Sequence, residues 1–297
     1  MKSVKSISKA YNSAREIDID DKSKLVFMSD CHRGDGNWND NFSRNCNIYF
    51  SALSYYYQKG FTYLELGDGD ELWENRRLDE IMNIHSNIYW LLSKFITEDK
   101  YYAIYGNHDK IKNNKKYIKK NIDRLVKETD KPFMNLFLDI DIYESLILKY
   151  RPTGDKILLI HGHQGDFLND KICGVSRFMV RYFWKPLELY GVKDPTKVAK
   201  NYVKRQRTEK RIERWIKDER CMVIAGHTHR PVFPKLGEIP YFNDGSCVHP
   251  RCITAIEIEQ GFISLIKWEV KVRENGNLYI DKSIIAGPRK LKEYMWN

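Results

Sequence analysis

The chain lacks the features of a secreted or membrane-spanning protein. No stretch approaches the roughly 18 consecutive apolar residues of a spanning helix, and the first 20 residues mix Lys and Ser with acids. The six cysteines include no CxxC pair, and the chain is too long to need disulfide staples. We therefore expect reduced thiols and a cytoplasmic protein, with at most a peripheral contact to a membrane.

The chain also has no Gly/Ser-rich or Pro-rich linker that would divide its 297 residues. Lys and Arg number 50 against 40 Asp and Glu, which gives a net charge of +10, and 42% of the residues are hydrophobic. This composition is typical of a folded protein with a sizeable core. We expect a single domain over residues 1–297.

Short apolar runs that end in polar clusters predict five buried strands. These runs are Lys24–Ser29, Tyr63–Leu66, Tyr101–Tyr105, Ile157–Ile160 and Met222–Ala225. Helical spacing over about 45–59 and 76–98 predicts a βαβαβ amino-terminal half. Runs 252–258 and 262–270 predict a later hairpin with a turn at 259–261. The sequence therefore predicts a layered α/β fold with central β-sheets flanked by helices.

Two segments fall outside this layout. Residues 110–131 hold nine basic and three acidic residues, and their role is left open. Residues 167–220 have helical spacing and interleave aromatic with basic residues, so we expect a helical cap insertion there. The cap is either a solvated helical layer or a surface for an anionic ligand, and a lipid contact is a further alternative.

A polar cluster follows each of the five predicted strands, and clusters at the carboxyl ends of strands converge on one site. In chain order they are Asp30-Cys31-His32, Gly67-Asp68-Gly69-Asp70-Glu71, Gly106-Asn107-His108-Asp109, His161-Gly162-His163 and Gly226-His227-Thr228-His229. Oxygen and imidazole donors without thiolate suit Mn²⁺, Fe or Zn²⁺, and they are too many for one ion. Two cations could hold a bridging hydroxide and polarise a phosphoryl group.

These clusters resemble the blocks DxH, GDxx[DE], GNH[DE], H and GHxH of the calcineurin-like metallophosphoesterase superfamily. The resemblance implies two divalent metal ions, with Mn²⁺ preferred and Fe, Zn or Ni as alternatives. It implies that one ion is held by Asp30, His32, Asp68 and His229, and that the other is held by Asp68, Asn107, His161 and His227. Asp68 would bridge them.

The same resemblance implies catalytic and substrate-binding roles in the third block. His108 and Asn107 would contact the substrate, His108 would protonate the leaving oxygen, and Asp109 would steer His108. Within the superfamily, the sequence is most similar to the UDP-2,3-diacylglucosamine pyrophosphatase-like group. The motif GDxxExW of that group is matched by Gly67, Asp68, Glu71 and Trp73, and GHTHxP is matched by residues 226–231.

Three further residues are candidates for binding the substrate. Arg33, which stands where that group usually has leucine, could clamp a phosphate or pair with Asp35 or Asp70. His249 and Arg251 follow an Asn-Asp-Gly turn and are expected to border the pocket.

The sequence thus favours a phosphoesterase that hydrolyses a phosphomonoester or pyrophosphate bond, with a metal-bound hydroxide as nucleophile and a histidine as general acid. The substrate would be a phosphorylated small molecule or a nucleotide-linked compound. A nuclease or phosphodiesterase is the alternative, because a charge of +10 attracts nucleic acid. A non-catalytic scaffold is disfavoured, because every expected ligand position is filled.

Overall fold

The computed structural model describes residues 2–38, 40–165 and 202–296, and its strands form two stacked sheets. In chain order the strands are β1 Arg15–Ile19, β2 Lys24–Met28, β3 Thr62–Leu66, β4 Tyr101–Ile104, β5 Ile142–Tyr143, β6 Ser145–Tyr150, β7 Lys156–Ile160, β8 Met222–Ala225, β9 Tyr241–Asn243, β10 Cys252–Glu259, β11 Phe262–Val272 and β12 Leu278–Lys290. A seven-stranded sheet has the order β12-β11-β10-β2-β3-β4-β5, and a five-stranded sheet has the order β1-β6-β7-β8-β9.

Helices cover the outer face of each sheet. Among the described residues they are α1 Lys2–Ser13, α2 Cys46–Gln58, α3 Leu78–Ile84, α4 Ser86–Thr97, α5 Lys115–Thr129 and α6 Tyr202–Glu219. The connections β2-α2-β3 and β3-α3-α4-β4 join strands that pair in parallel. The predicted βαβαβ half and the layered α/β fold are therefore confirmed.

Alternate side chains of β2 face two different cores, because neighbours on a strand point to opposite faces of the sheet. Val26 and Met28 pack against α2–α5, whereas Leu25 and Phe27 pack between the two sheets. A third core lies between the five-stranded sheet and helices α1 and α6. The described residues therefore form four layers, and burial on both faces explains the continuous apolar runs of the sequence.

The carboxyl-terminal hairpin forms where it is predicted. Strands β10 and β11 pair antiparallel, with Glu259 opposite Phe262. The two residues between them, Gln260 and Gly261, have φ of 53° and 73°. Positive φ at both central positions is the geometry that matches the twist of a two-residue hairpin.

The helix predicted over about 76–98 is two helices, α3 and α4, which meet at His85. The ring of His85 is buried and contacts the carbonyl oxygen of Gly34 and the carboxylate of Asp40, both at 3.1 Å from Nε2. We attribute the break to these contacts, which hold His85 outside helical geometry.

The structure describes all of segment 110–131 but only part of segment 167–220. The basic segment 110–131 contains α5, which buries Ile118, Ile122 and Leu125 and leaves most of its lysines exposed. Of the predicted cap at about 167–220, residues 167–201 lie outside the described residues, and so does the predicted lipid contact of its aromatic part. Its last part forms α6. None of the described helices is both long and apolar enough to cross a membrane.

Candidate metal centre

The predicted metal ligands lie at the carboxyl ends of strands from both sheets. The seven-stranded sheet contributes Asp30, His32, Asp68 and Asn107, and the five-stranded sheet contributes His161, His227 and His229. Donor atoms of Asp30, His32 and His229 lie within 4.8 Å of one another, and so do those of Asp68, His161 and His227. We call these the first and second donor groups.

The two donor groups adjoin each other at Asp68. Its Oδ2 lies 3.1 Å from His161 Nε2 in the second group and 3.8 Å from His32 Nε2 in the first. Its Oδ1 accepts the backbone N–H of His108 at 2.8 Å. Burial alone would raise the pKa of Asp68, but the charges of His161 and His108 hold it well below its usual range.

The backbone is strained at most of the predicted ligands. Asp30, His32, Asp68, His227 and His229 have φ between 48° and 69°, in the left-handed region that residues other than glycine seldom adopt. Such conformations persist only where surrounding contacts enforce them, and they cluster at functional sites. Here each of them turns a side chain at the end of a strand toward the common site.

Two glycines permit the close approach of the ligand loops. A Cβ on Gly106 would lie 2.0 Å from Asp68 Oδ1, and a Cβ on Gly226 would lie 2.1 Å from Ser29 Oγ. Neither position can hold a larger residue unless a carboxylate ligand or its hydrogen-bond partner moves. The glycines in the GNH and GHxH blocks are therefore explained by packing.

Asp30 is fully buried and held from several sides. Its Oδ2 accepts the backbone N–H of His227 at 2.7 Å and the hydroxyl of Ser29 at 2.6 Å, while Oδ1 lies 3.0 Å from His229 Nε2. Burial opposes ionisation, yet the charges of His229 and His161 hold the pKa of Asp30 well below its usual range. Asp30 is thus an ionised carboxylate inside the protein.

Hydrogen bonds on the far side of two imidazoles aim their Nε2 atoms at the site. His161 Nδ1 donates to the carbonyl oxygen of Leu66 at 2.8 Å, and His32 Nδ1 donates to Glu71 Oε2 at 2.8 Å. The Nε2 of His32 then lies 3.3 Å from the Nε2 of His229. Fixing one ring nitrogen in this way is how metal-binding histidines are usually oriented.

The second donor group contains a buried ring nitrogen that has no hydrogen-bond partner among the described residues. Burial, with the charge of His161, lowers the pKa of His227 to about 3, and its Nε2 forms no hydrogen bond with the described residues. Burial also opposes the charge on His161, but Asp68 and Asp30 raise its pKa to about 9. Carboxylate and imidazole donors with a buried, unpartnered nitrogen fit a divalent cation, although they do not select one ion.

His108 is held by two residues of the second block. Its Nδ1 donates to Glu71 Oε1 at 2.8 Å, and its ring stacks on Trp73 with a centroid distance of 4.1 Å and an interplanar angle of 19°. Trp73 Nε1 also donates to the carbonyl oxygen of Asn107 at 2.6 Å. Neither Glu71 nor Trp73 is among the predicted catalytic, metal-binding or substrate-binding residues, although both belong to the matched motif GDxxExW.

The carboxylate of Asp109, which was predicted to steer His108, accepts hydrogen bonds from backbone groups of the second and third ligand loops. It accepts the backbone N–H groups of Gly106 at 2.7 Å and Gly69 at 3.0 Å. Burial raises its pKa, although nearby Lys112 lowers it. Asp109 therefore holds the second and third ligand loops together, and Glu71 is the carboxylate that contacts the His108 ring.

The contacts of Arg33 contradict the prediction that its guanidinium clamps a phosphate. The guanidinium is 1% exposed and forms a pair of hydrogen bonds with Glu65 at 2.9 and 3.0 Å. Its Nε donates to Asp70 at 2.8 Å, and Lys112 Nζ donates to the other oxygen of Asp70 at 2.8 Å. The predicted alternative, a salt bridge to Asp70, is confirmed, and the guanidinium is not available to a substrate.

The remaining predicted residues lie close to this site. Asn107 is buried, and it lies in the third ligand loop together with Gly106 and His108. The loop that carries His249 is tied to Asp30, whose carbonyl oxygen accepts from Ser246 Oγ at 3.2 Å and Cys247 N at 3.3 Å. Arg251 is exposed. Metal binding by Asn107 and substrate contact by Asn107, His108, His249 and Arg251 stay predictions.

The two-sheet fold and the converging carboxylate and imidazole donors are typical of a metal-binding phosphoesterase. Residues 23–231 match the family model described as calcineurin-like phosphoesterase. Because this match spans more than half of the chain, the chain belongs to the calcineurin-like phosphoesterase family. No curated protein sequence matches the chain significantly.

Two solved structures are similar at a low level. Vps29 of Chaetomium thermophilum has 10% sequence identity and a TM-score of 0.37, over 89% of this chain and 96% of that chain. A putative 5'-nucleotidase of Staphylococcus aureus, in complex with alpha-ketoglutarate, has 12% identity and a TM-score of 0.34, over 88% of this chain and 53% of that chain. Similarity at this level carries no argument about function.

Proposed function

We propose that the protein is a dinuclear metal-dependent phosphoesterase that hydrolyses a phosphomonoester or pyrophosphate bond. The observation that carries this proposal is the junction of the two donor groups at Asp68, whose Oδ2 approaches an imidazole of each. Asp30, His32 and His229 would hold one ion, and His161, His227 and Asn107 would hold the other. Two such ions activate water and neutralise charge on the phosphoryl group.

His108 is the proposed general acid. Glu71 accepts a hydrogen bond from the Nδ1–H of His108. Nε2 is therefore the ring nitrogen that can pass a proton to the leaving oxygen. The carboxylate of Glu71 also stabilises the charged imidazolium before the transfer. Trp73 restricts the tilt of the ring by stacking on it, which keeps Nε2 in one direction.

We propose a phosphorylated small molecule as substrate, and a UDP-linked pyrophosphate as the first compound to test. Support for a pyrophosphate comes from Glu71 and Trp73, which carry the resemblance to the UDP-2,3-diacylglucosamine pyrophosphatase-like group and both contact His108. Arg251 is an exposed cation on the loop tied to Asp30, where it could meet an anionic substrate.

The test begins with protein that has been stripped by a chelator and reloaded separately with Mn²⁺, Zn²⁺, Fe²⁺, Ni²⁺ or Mg²⁺. Turnover of a phosphomonoester, a phosphodiester and UDP-linked pyrophosphates is then compared. We expect two bound ions per chain and restored hydrolysis, both of which Asp68→Asn should reduce severely. Asp123→Asn, which makes the same change on an exposed part of α5, should leave both unchanged.

Each other outcome points to a different conclusion. Binding of fewer than two ions would contradict a dinuclear centre. Two bound ions without turnover of any substrate would favour the scaffold. Preferential cleavage of phosphodiesters, with an affinity for nucleic acid that falls steeply with salt, would favour a nuclease, for which the net charge of +10 is the supporting observation.

A further inference from the structure

Helix α6 contacts the loop that carries His227 and His229 through one buried carboxylate. Glu209, which is 4% exposed, accepts a hydrogen bond from Thr228 Oγ1 at 3.1 Å. It also accepts from Arg230, with distances of 3.1 Å to Nε and 2.5 Å to Nη2. Because Thr228 and Arg230 are the immediate neighbours of His229, Glu209 fixes the chain on both sides of that imidazole.

The same helix is anchored elsewhere, so it can act as a fixed support. Ile212, Trp215 and Ile216 are buried in the core against the five-stranded sheet, and Trp215 Nε1 donates to Ser8 Oγ on α1 at 3.0 Å. Arg211 Nη1 donates to the carbonyl oxygen of Gly165 at 2.9 Å, in the loop that follows His161. A shift of the His229 loop relative to α6 would therefore break hydrogen bonds to a helix that is held in place by these other contacts.

The His229 loop requires such support because its backbone is strained. His227 and His229 have φ of 69° and 52° on either side of Thr228. A second contact comes from Asn243 Nδ2, which donates to the carbonyl oxygen of Gly226 at 2.6 Å and lies 3.3 Å from Thr228 Oγ1. Strained residues at ligand positions hold their geometry only through contacts of this kind.

The burial of Glu209 is itself informative. A carboxylate inside a protein is costly unless it is paired and hydrogen-bonded. Each described hydrogen bond of Glu209 goes to the His229 loop and none goes to another part of the core. The carboxylate of Glu209 therefore acts to hold the His229 loop in position.

We propose that Glu209 is a positioning residue that sets the affinity of the first donor group, Asp30, His32 and His229, for its metal ion. This inference rests on the proposed dinuclear function and assigns to α6 a role at one of the two ions. Glu209 holds both neighbours of His229 but only one neighbour of His227, namely Thr228. The other two members of the second donor group, Asp68 and His161, are held by contacts that do not involve Glu209, so this group depends less on it. The expected effect is an unequal loss of metal affinity.

The test is a calorimetric titration of the chelator-stripped full-length protein with Mn²⁺. In Glu209→Gln we expect one of the two sites to weaken by about tenfold, in the range observed when residues behind a metal ligand are changed, and the other to change less than twofold. Hydrolysis should recover at raised Mn²⁺. Glu213→Gln, one turn further along α6, is the matched control because it removes a carboxylate with no described hydrogen bond to the loop.

Two further variants identify the weakened site and guard against misfolding. Thr228→Val removes one hydroxyl with little change of shape and should weaken the same site by a smaller factor. In the background of His229→Ala, Glu209→Gln should cause little additional loss, because both changes act on one site. Thermal unfolding of each metal-free variant confirms that it is folded.

Opposite results would overturn the inference. If wild type binds two ions and the Glu209→Gln and Thr228→Val variants bind them equally well, Glu209 has no positioning role, while the proposed function stands. Equal weakening of both sites, or full additivity with His229→Ala, would also exclude the selective role. If wild type binds no metal, the proposed function fails and this inference fails with it.

Discussion

Glu71 and His108 form a hydrogen bond of 2.8 Å between Oε1 and Nδ1, and the other oxygen of Glu71 accepts from His32 at the same distance. Burial alone would raise the pKa of Glu71, but the charges of His108 and His32 hold it well below its usual range. One carboxylate therefore fixes the ring orientation of both the proposed acid and a proposed metal ligand.

Replacing Glu71 should impair the chemical step more than substrate binding. In Glu71→Gln the amide can accept only through its oxygen, so we expect kcat to fall about 10–100-fold, as for partial loss of general acid catalysis. KM should change much less. Steady-state kinetics at saturating metal measure both quantities. Glu80→Gln, at an exposed position on α3, is the control, and an unchanged kcat for Glu71→Gln would contradict the assignment.

Trp73 should contribute through both its ring and its N–H. Trp73→Phe keeps an aromatic face for His108 but loses the hydrogen bond to the Asn107 carbonyl oxygen, so we expect a fall in kcat of a few-fold. Trp73→Ala also removes the stacked surface, and a fall of about tenfold or more is expected because misoriented catalytic groups cost rate steeply. Equal activity of the alanine and phenylalanine variants would show that the stacking of Trp73 on His108, with a centroid distance of 4.1 Å, has no role in turnover.

Arg33 should matter for stability and not for phosphate binding. Arg33→Met leaves Glu65 and Asp70 with Lys112 as their remaining cation. Removing one member of a buried ion pair typically costs about 3–5 kcal/mol, so a loss toward the lower end of that range is expected in urea unfolding. Arg33→Lys should lose less because it keeps the charge. Arg44→Met, at an exposed position, should lose little. A raised KM with unchanged stability in Arg33→Met would restore the phosphate-clamp interpretation.

His85 should give the protein a pH-dependent increment of stability. Although burial opposes its charge, the hydrogen bond with Asp40 raises the pKa of His85 from 6.5 to about 9. A pKa that is higher in the folded state stabilises the protein fully below the unfolded value, and this stabilisation is lost as pH rises through about 9.

The free-energy cost of His85→Gln should therefore be largest near pH 6, on the order of 1–3 kcal/mol, and should shrink by pH 9.5. Urea unfolding of wild type and variant at both pH values measures the difference. Repeating the comparison in an Asp40→Asn background provides the control, because the pH dependence should then be largely absent. A cost that is equal at both pH values would show that the pair is not charged.

The ligand set could be predicted because each ligand is a local feature of the sequence. Asp30, Asp68 and His161 stand within two residues of the end of an apolar run, and the topology of parallel strands brings such ends together. The strands themselves were predictable for the same reason, since burial on both faces makes them continuously apolar. By contrast, β1 and β12 carry several charged residues and were missed, as were β5, β6 and β9.

The pairing of Arg33 with Glu65 and of His108 with Glu71 could not be read from neighbouring residues, because it depends on how separate segments pack. Arg33 pairs with Glu65, which lies inside β3, and His108 pairs with Glu71 and not with adjacent Asp109. One signal was present in the sequence: a glutamate within the apolar run Tyr63–Leu66 requires a buried cation, since carboxylates are almost never fully buried alone.

Each of the two sheets contributes only part of the ligand set, so the site lies at the interface between the two sheets. Neither sheet alone can assemble either donor group, because His229 must meet Asp30 and His161 must meet Asp68 across the interface. A cation in either group would fasten one sheet to the other. The centre is thus complete only when the two sheets have docked, and a bound ion would report that docking.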